Sequence, residues 1–320
     1  MTAWLAQNYQ RLRRRWQHAR NNRQLMQLAA QVERHAPPVQ TGARPVLFFN
    51  ASTRLDAISL NAAFSRIASW TVRLAGVPTA HVVCQAGMTR CVLGSNRERP
   101  QQLPPCAVCM RQSRALYAHS ALLPMPWGAD ERLNLVLQSL HLDELPNFVY
   151  EGLPLGALTL PALRWMLRRN TLEQEERTLF FYRQFILSAW NVARRVRSAL
   201  DQLNPQALVV FNGQFYPEAT ARWLAQQRGL PVFTHEVGLM PFTAYFTPGE
   251  ATAYPIDIPA NFELNAEQTA RLDSYLEQRF QGNFTMAGIR FWSEMRGLEP
   301  DFLQRVRPYK QIAPIFTHVI

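Results

Sequence analysis

The chain has 320 residues, 48% of them apolar and 11% aromatic, enough to bury a substantial core and too apolar for a disordered chain. Its formal charge of +11 comes almost wholly from arginine, because Lys310 is the only lysine; standing in Tyr-Lys-Gln, it suits neither a phosphate-binding P-loop nor a Schiff-base nucleophile. Such a balance suits nucleic acid, anionic lipid or phosphorylated substrates, or reflects coding bias alone. No run approaches the ~18 apolar residues of a spanning helix or the apolar core of a secretory leader, so a cytoplasmic location is expected.

Residues 1–38 are predicted to form a basic amphipathic helix. Leu5, Tyr9, Leu12, Trp16 and Ala19 recur at spacings of four and three, Arg13, Arg20 and Arg23 lie off that stripe, and Pro37-Pro38 ends it. This helix either makes a peripheral contact with an anionic membrane face or packs on its own domain with the basic side solvated. The run Val46-Leu47-Phe48-Phe49, closing on Asn50 and Ser52-Thr53-Arg54, reads as a buried strand that stops at a sheet edge. Asp56 is placed to cap a helix with Leu60, Ala63, Phe64, Ile67, Thr71 and Leu74 on its apolar face. Gly76 suits the left-handed position after that helix, Pro78 stops it, and a strand over 80–84 follows.

The same punctuation returns later. Residues 207–211 form a second buried run that closes on Asn212-Gly213, a helix follows over 216–228, Gly229-Leu230-Pro231 stops it, and a strand over 232–234 closes on His235-Glu236. Between the two units a helix over 173–203 carries Leu179, Tyr182, Ile186, Ala189, Ala193, Val196, Leu200 and Leu203 at unbroken three- and four-residue spacing. It is expected to cross the sheet as a core helix, with a coiled coil as the alternative.

Two strand-helix-strand units with matching stops predict an α/β fold, a Rossmann-like, doubly wound parallel sheet over 44–260 with a four-cysteine insert at 84–118. A helical linker over 261–310 should follow, containing a helix at 264–280. Residues 311–320 read as the first strand of a second domain cut short there.

Cys84, Cys91, Cys106 and Cys109 follow the spacing C-x6-C-x14-C-x2-C and are the only cysteines. In a reducing compartment they read as thiolate ligands rather than disulfides, gripping one zinc ion from turns supplied by Gly87, Gly94 and Pro104-Pro105. Four sulfurs fill a tetrahedral shell and leave no open position for water, so the zinc would be structural; an iron–sulfur cluster is the alternative. Arg90, Arg97, Arg99, Arg111 and Arg114 flank the ligands, and a non-enzymatic zinc protein that binds nucleic acid is therefore the second functional reading, with few aromatics present to stack bases. A periplasmic-type sensor is disfavoured by the lack of an export signal.

In open α/β sheets, ligands bind beyond the carboxyl ends of strands. Asn50 with Ser52, Asn212 with Gly213, and His235 with Glu236 fall at such ends, while Gly213 and Gly238 let backbone approach a ligand. Glu236 or His235 is the candidate base for a hydroxyl nucleophile. No G-x-G-x-x-G loop and no G-x-S-x-G elbow is present, which argues against a dinucleotide dehydrogenase and a serine hydrolase.

The segments Phe211-Asn212-Gly213-Gln214-Phe215-Tyr216-Pro217 and His235-Glu236-Val237-Gly238, with the closing Ile312 to Ile320 stretch, resemble bacterial glycosyltransferases of the GT-B fold, in particular those of capsular or surface-polysaccharide biosynthesis. The Pro-Pro-Cys-x-x-Cys region is similar as well. The resemblance implies two Rossmann-like domains around a cleft, the first binding a glycan or lipid-linked acceptor and the second a nucleotide sugar. It further implies an acidic or histidine base and no metal in the chemistry. Since nearly all of the donor domain is missing from the pattern, the chain is expected to be inactive alone.

Overall fold

The computed structural model describes residues 2–51, 57–238, 242–251 and 258–280, with the pairs 285–286 and 289–290. Two compact units are distinguished: Met1–Glu236 with Ala244–Pro255, and Val237–Thr243 with Ile256–Ile320.

The first unit runs α1 (Thr2–His35), β1 (Val46–Phe49), α2 (Leu60–Leu74), β2 (Thr79–Gln85), α3 (Cys106–Leu116), β3 (Ala121–Pro126), α4 (Glu131–Ser139), α5 (Leu155–Leu167), α6 (Glu176–Leu203), β4 (Ala207–Phe211), α7 (Tyr216–Gln227), β5 (Val232–Val237) and β6 (Ala244–Pro248). The six strands form one sheet in the order β3-β2-β1-β4-β5-β6. The pairings β3/β2, β2/β1, β1/β4 and β4/β5 are all parallel, with Phe49 of β1 opposite Val82 and Val210. Building outward from β1 in one direction and then from β4 in the other creates a switch point between these two strands, as in a Rossmann-like sheet.

Alternation along the strands separates two buried faces. Leu47 and Phe49 of β1, Ala80 and Val82 of β2, and Leu208 and Val210 of β4 join a large core with Phe185, Ile186, Ala189, Ala193 and Val196 of α6. Val83 turns the other way, onto Ala62 of α2 with Leu116 and Tyr117, and Phe48 stacks on His81 at 5.3 Å on that side. The expected stripe of the long helix is therefore its core face. Each large apolar side chain withdrawn from water there contributes about 1.5–3 kcal/mol. The helix begins at Glu176, three residues later than its spacing predicts, and ends on Asn204 in the left-handed conformation (φ 41°).

The repeated stop signals have one structural cause. At Gly76 (φ 84°) the N–H donates to Arg73 O at 3.0 Å and Val77 N–H donates to Val72 O at 3.2 Å. Gly229 (φ 63°) donates to Gln226 O at 3.0 Å and Leu230 to Ala225 O at 2.9 Å. Both are Schellman closures, which need a residue at positive φ.

Several elements depart from the sequence reading. The cap of α2 is Ser59, whose Oγ accepts from Ala62 N at 3.1 Å, while Asp56 lies outside the described residues. Strand β3 carries Pro124 and Pro126, which a central strand would reject; its place at the sheet edge tolerates them. The segment expected as an insert at 84–118 is the crossover from β2 to β3, with α3 as its helix. No helix among the described residues is long and apolar enough to cross a membrane.

In the second unit, α8 (Ala266–Phe280) occupies the helical stretch expected at 264–280, and β7 (Thr285–Met286) pairs antiparallel with β8 (Ile289–Arg290). Residues 311–320, read as a first strand of another domain, lie outside the described residues.

Candidate functional site

Because β1, β4 and β5 are parallel neighbours, their carboxyl ends share one rim, and the polar residues that close them come together there. Asn50 directly follows β1, Asn212 directly follows β4, and His235 and Glu236 are late residues of β5, which continues to Val237 rather than ending at Thr234.

Two linked clusters result. In the buried one, Asn50 Nδ2 donates to Ser65 Oγ at 2.5 Å and Asn50 Oδ1 lies 3.0 Å from His235 Nε2. An amide already donating from nitrogen offers its oxygen as acceptor, so His235 carries its proton on Nε2. The ring is fully buried between Phe211 and Phe246, at centroid distances of 5.9 and 5.3 Å, and its Nδ1 has no hydrogen-bond partner. Burial pushes its pKa down to about 4, leaving the imidazole neutral at physiological pH.

The second cluster is half-exposed and surrounds a carboxylate. Glu236 Oε2 accepts from Asn212 Nδ2 at 2.9 Å, and Oε1 accepts from Asn61 Nδ2 at 3.1 Å. Asn61, in the first turn of α2, is a site residue the sequence reading missed. Its Oδ1 is buried without a partner. Asn212 adopts the left-handed conformation (φ 51°), which its short amide tolerates, and its Oδ1 accepts from Gln214 N at 3.2 Å. A Cβ on Gly213 would stand 3.0 Å from Arg222 Cδ and 3.1 Å from Thr234 Cγ2, so this glycine admits close packing of its own neighbours. A second carboxylate, Glu250, pairs with Arg222 at 2.6 Å and accepts from the Gln214 amide.

Not every expected residue joins the rim. Ser52 lies outside the described residues. Gly238 belongs to the second unit, where it donates to Thr243 O at 2.8 Å; a Cβ there would meet Thr243 Oγ1 at 2.2 Å, so its smallness serves its own loop.

The four cysteines line one cavity of about 20 Å³, with Ala51 beside them, the residue after Asn50. That is room for one water-sized occupant. Cys84 lies near the end of β2, Cys106 and Cys109 lie in the first turn of α3, and Cys91 Sγ accepts from Gly94 N at 3.2 Å. A Cβ on Gly94 would be 2.8 Å from that sulfur, so only glycine closes this turn. None of the four is joined in a disulfide. Burial foremost, and then the charges of Cys84, Cys106 and Cys109, drive the Cys91 pKa up to about 12. No three His, Cys, Asp or Glu side chains among the described residues converge as a ready-made metal centre. What the four cysteines share is that cavity. Of the flanking arginines, Arg90 turns inward to the carbonyls of Thr89, Pro100 and Gln101, and Arg97 pairs with Glu98 at 2.8 Å.

Fold and rim define an α/β protein with a six-stranded, mostly parallel sheet and a carboxylate at its switch-point edge. Comparison of the chain with protein-family models and with curated proteins yields no match.

Proposed function

We propose that this sheet is the acceptor-binding half of a GT-B glycosyltransferase that transfers a sugar from a nucleotide sugar to a surface glycan or lipid-linked acceptor. The observation that carries the reading is Glu236, whose two carboxylate oxygens are held by Asn61 and Asn212 at the rim where ligands of such sheets bind. Held this way, the carboxylate is oriented before substrate arrives, as a general base requires.

In this reading Glu236 removes the proton of an acceptor hydroxyl. The hydroxyl oxygen then attacks the anomeric carbon of the donor, and the bond from that carbon to the terminal phosphate breaks, the nucleotide leaving with the electron pair. Asn212 and Ser52 would shape the acceptor side, whereas Asn50 is buried with both ends of its amide committed and Gly213 packs against Arg222 and Thr234. His235 is a positioning residue, because its buried ring holds Asn50 and its depressed pKa suits a fixed neutral donor. Most donor contacts would come from a second domain.

The four cysteines would hold a structural zinc ion at the floor of the β2–β3 crossover, an iron–sulfur cluster being the competing occupant. They fit zinc in number, softness and shared cavity; binding would release their protons, which burial foremost holds on Cys91. The nucleic-acid reading gains no support from Arg90, whose guanidinium is committed to backbone carbonyls.

The test is transfer of labelled sugar from a panel of nucleotide sugars to a bacterial glycolipid extract, by this chain alone and with a donor domain supplied. Glu236→Gln should lower transfer about 10²–10⁴-fold with an unchanged melting curve. Tight calorimetric binding of a nucleotide sugar to this chain alone would contradict the division of labour.

A further inference from the structure

We propose that the N-terminal half of α1 docks the protein onto an anionic lipid bilayer. The helix has two separate apolar faces. Its C-terminal half packs on the body of the protein: Ala29 is buried, Leu25 packs against the α2/α3 cluster, Asn22 and Gln112 exchange side-chain hydrogen bonds at 2.9 and 3.4 Å, and Glu33 pairs with Arg73 at 3.3 Å. The N-terminal half carries a different stripe, with Leu5, Tyr9, Leu12 and Trp16 left 53%, 66%, 63% and 61% exposed.

At 100° per residue, this stripe lies roughly 140° around the helix from Asn22, Leu25 and Ala29, so one helix cannot bury both sets against the same body. Trp16, the last residue of the stripe, borders a cavity shared with Ala57, Ile58 and Gln112, while Leu5, Tyr9 and Leu12 remain mostly exposed.

Charge identifies the occupant. Arg11, Arg13, Arg14 and Arg15 fall in this half, Arg20 and Arg23 follow directly after it, and no acidic residue occurs between Thr2 and Val32. Arg13 and Arg15 project to either side of the stripe, whereas Arg20 and Arg23, expected off it, fall on its continuation at 100° per residue, and the Arg20 guanidinium lies 5.6 Å from the Trp16 ring centroid. Leucines that enter the acyl boundary, a tyrosine and a tryptophan at headgroup depth, and arginines that reach phosphates make up an interfacial helix. A nucleic-acid surface would have no use for Leu5 and Leu12, since phosphates and bases contact cations and ring faces.

The experiment is co-sedimentation of the full chain with phosphatidylcholine vesicles, with and without phosphatidylglycerol. Binding should need phosphatidylglycerol, fall with salt, and drop about tenfold or more in Leu12→Glu, while Arg13→Gln with Arg15→Gln should flatten the salt dependence. Leu12 is exposed, so the melting curve of Leu12→Glu should match that of the parent. Equal binding by parent and Leu12→Glu would overturn the proposal, as would a parent that stays in solution. Two further results would also overturn it: duplex DNA binding that Leu12→Glu leaves intact, and a dimer in sedimentation equilibrium that Leu12→Glu abolishes.

Discussion

Glu236 is held from two directions by amides that arrive on different elements, Asn61 from α2 and Asn212 from the β4–α7 turn. Removing one amide should therefore loosen the carboxylate without freeing it. Asn212→Gly is the informative change, because glycine keeps the left-handed backbone and deletes only the side chain. Under the proposed function it should reduce transfer by about 10- to 150-fold, since one hydrogen bond to a charged group is worth roughly 1.5–3 kcal/mol. His235 makes a different prediction. Its folded pKa of about 4 lies below the ordinary 6.5, so the unfolded chain binds the proton more tightly. Stability should be intact above about pH 6.5 and fall as pH drops toward 4, by roughly 3 kcal/mol in all. Urea melts at about pH 7 and pH 5 would measure this, and His235→Gln, which still donates to Asn50, should flatten the dependence. Asn50, Asn212, His235 and Glu236 were legible because each closes a readable strand. Asn61 was not, since a polar residue in a first helical turn usually faces water, and only the approach of β5 reveals its partner.

Among the elements, the two Schellman closures explain why identical punctuation recurs. Ala substituted at Gly229 must adopt positive φ with nothing near its Cβ, so the cost is purely conformational, about 1 kcal/mol in a denaturant melt. Gly94→Ala should be more damaging, because its methyl group would collide with Cys91 Sγ and Pro104. The cysteine crossover carries the metal prediction: protein purified without chelator should hold about one equivalent of zinc by elemental analysis, and no visible charge-transfer absorption. Cys106→Ser or prolonged chelation should lower the melting temperature, while the same stability with and without metal would remove the structural role. The cysteine spacing was plain in the sequence. That Cys106 and Cys109 begin a helix was not, because Pro104-Pro105 before them reads equally as a loop. Prolines also concealed β3, which only its edge position permits.

For the whole molecule, the decisive event is the reversal of build direction between β1 and β4, which brings residues 162 positions apart, Asn50 and Asn212, to neighbouring strand ends. The sequence by itself determined the alternation of buried strands and helices, the core face of α6 and the stops at Gly76 and Gly229. Those depend on apolar periodicity and backbone freedom, which are local properties. Only the tertiary structure decided which strand lies beside which, that Glu236 meets Asn61, that His235 is sealed from solvent, and that the stripe of α1 faces outward rather than into its own core. Such contacts join residues far apart in the chain, and their energies depend on burial and on partners that no local pattern specifies.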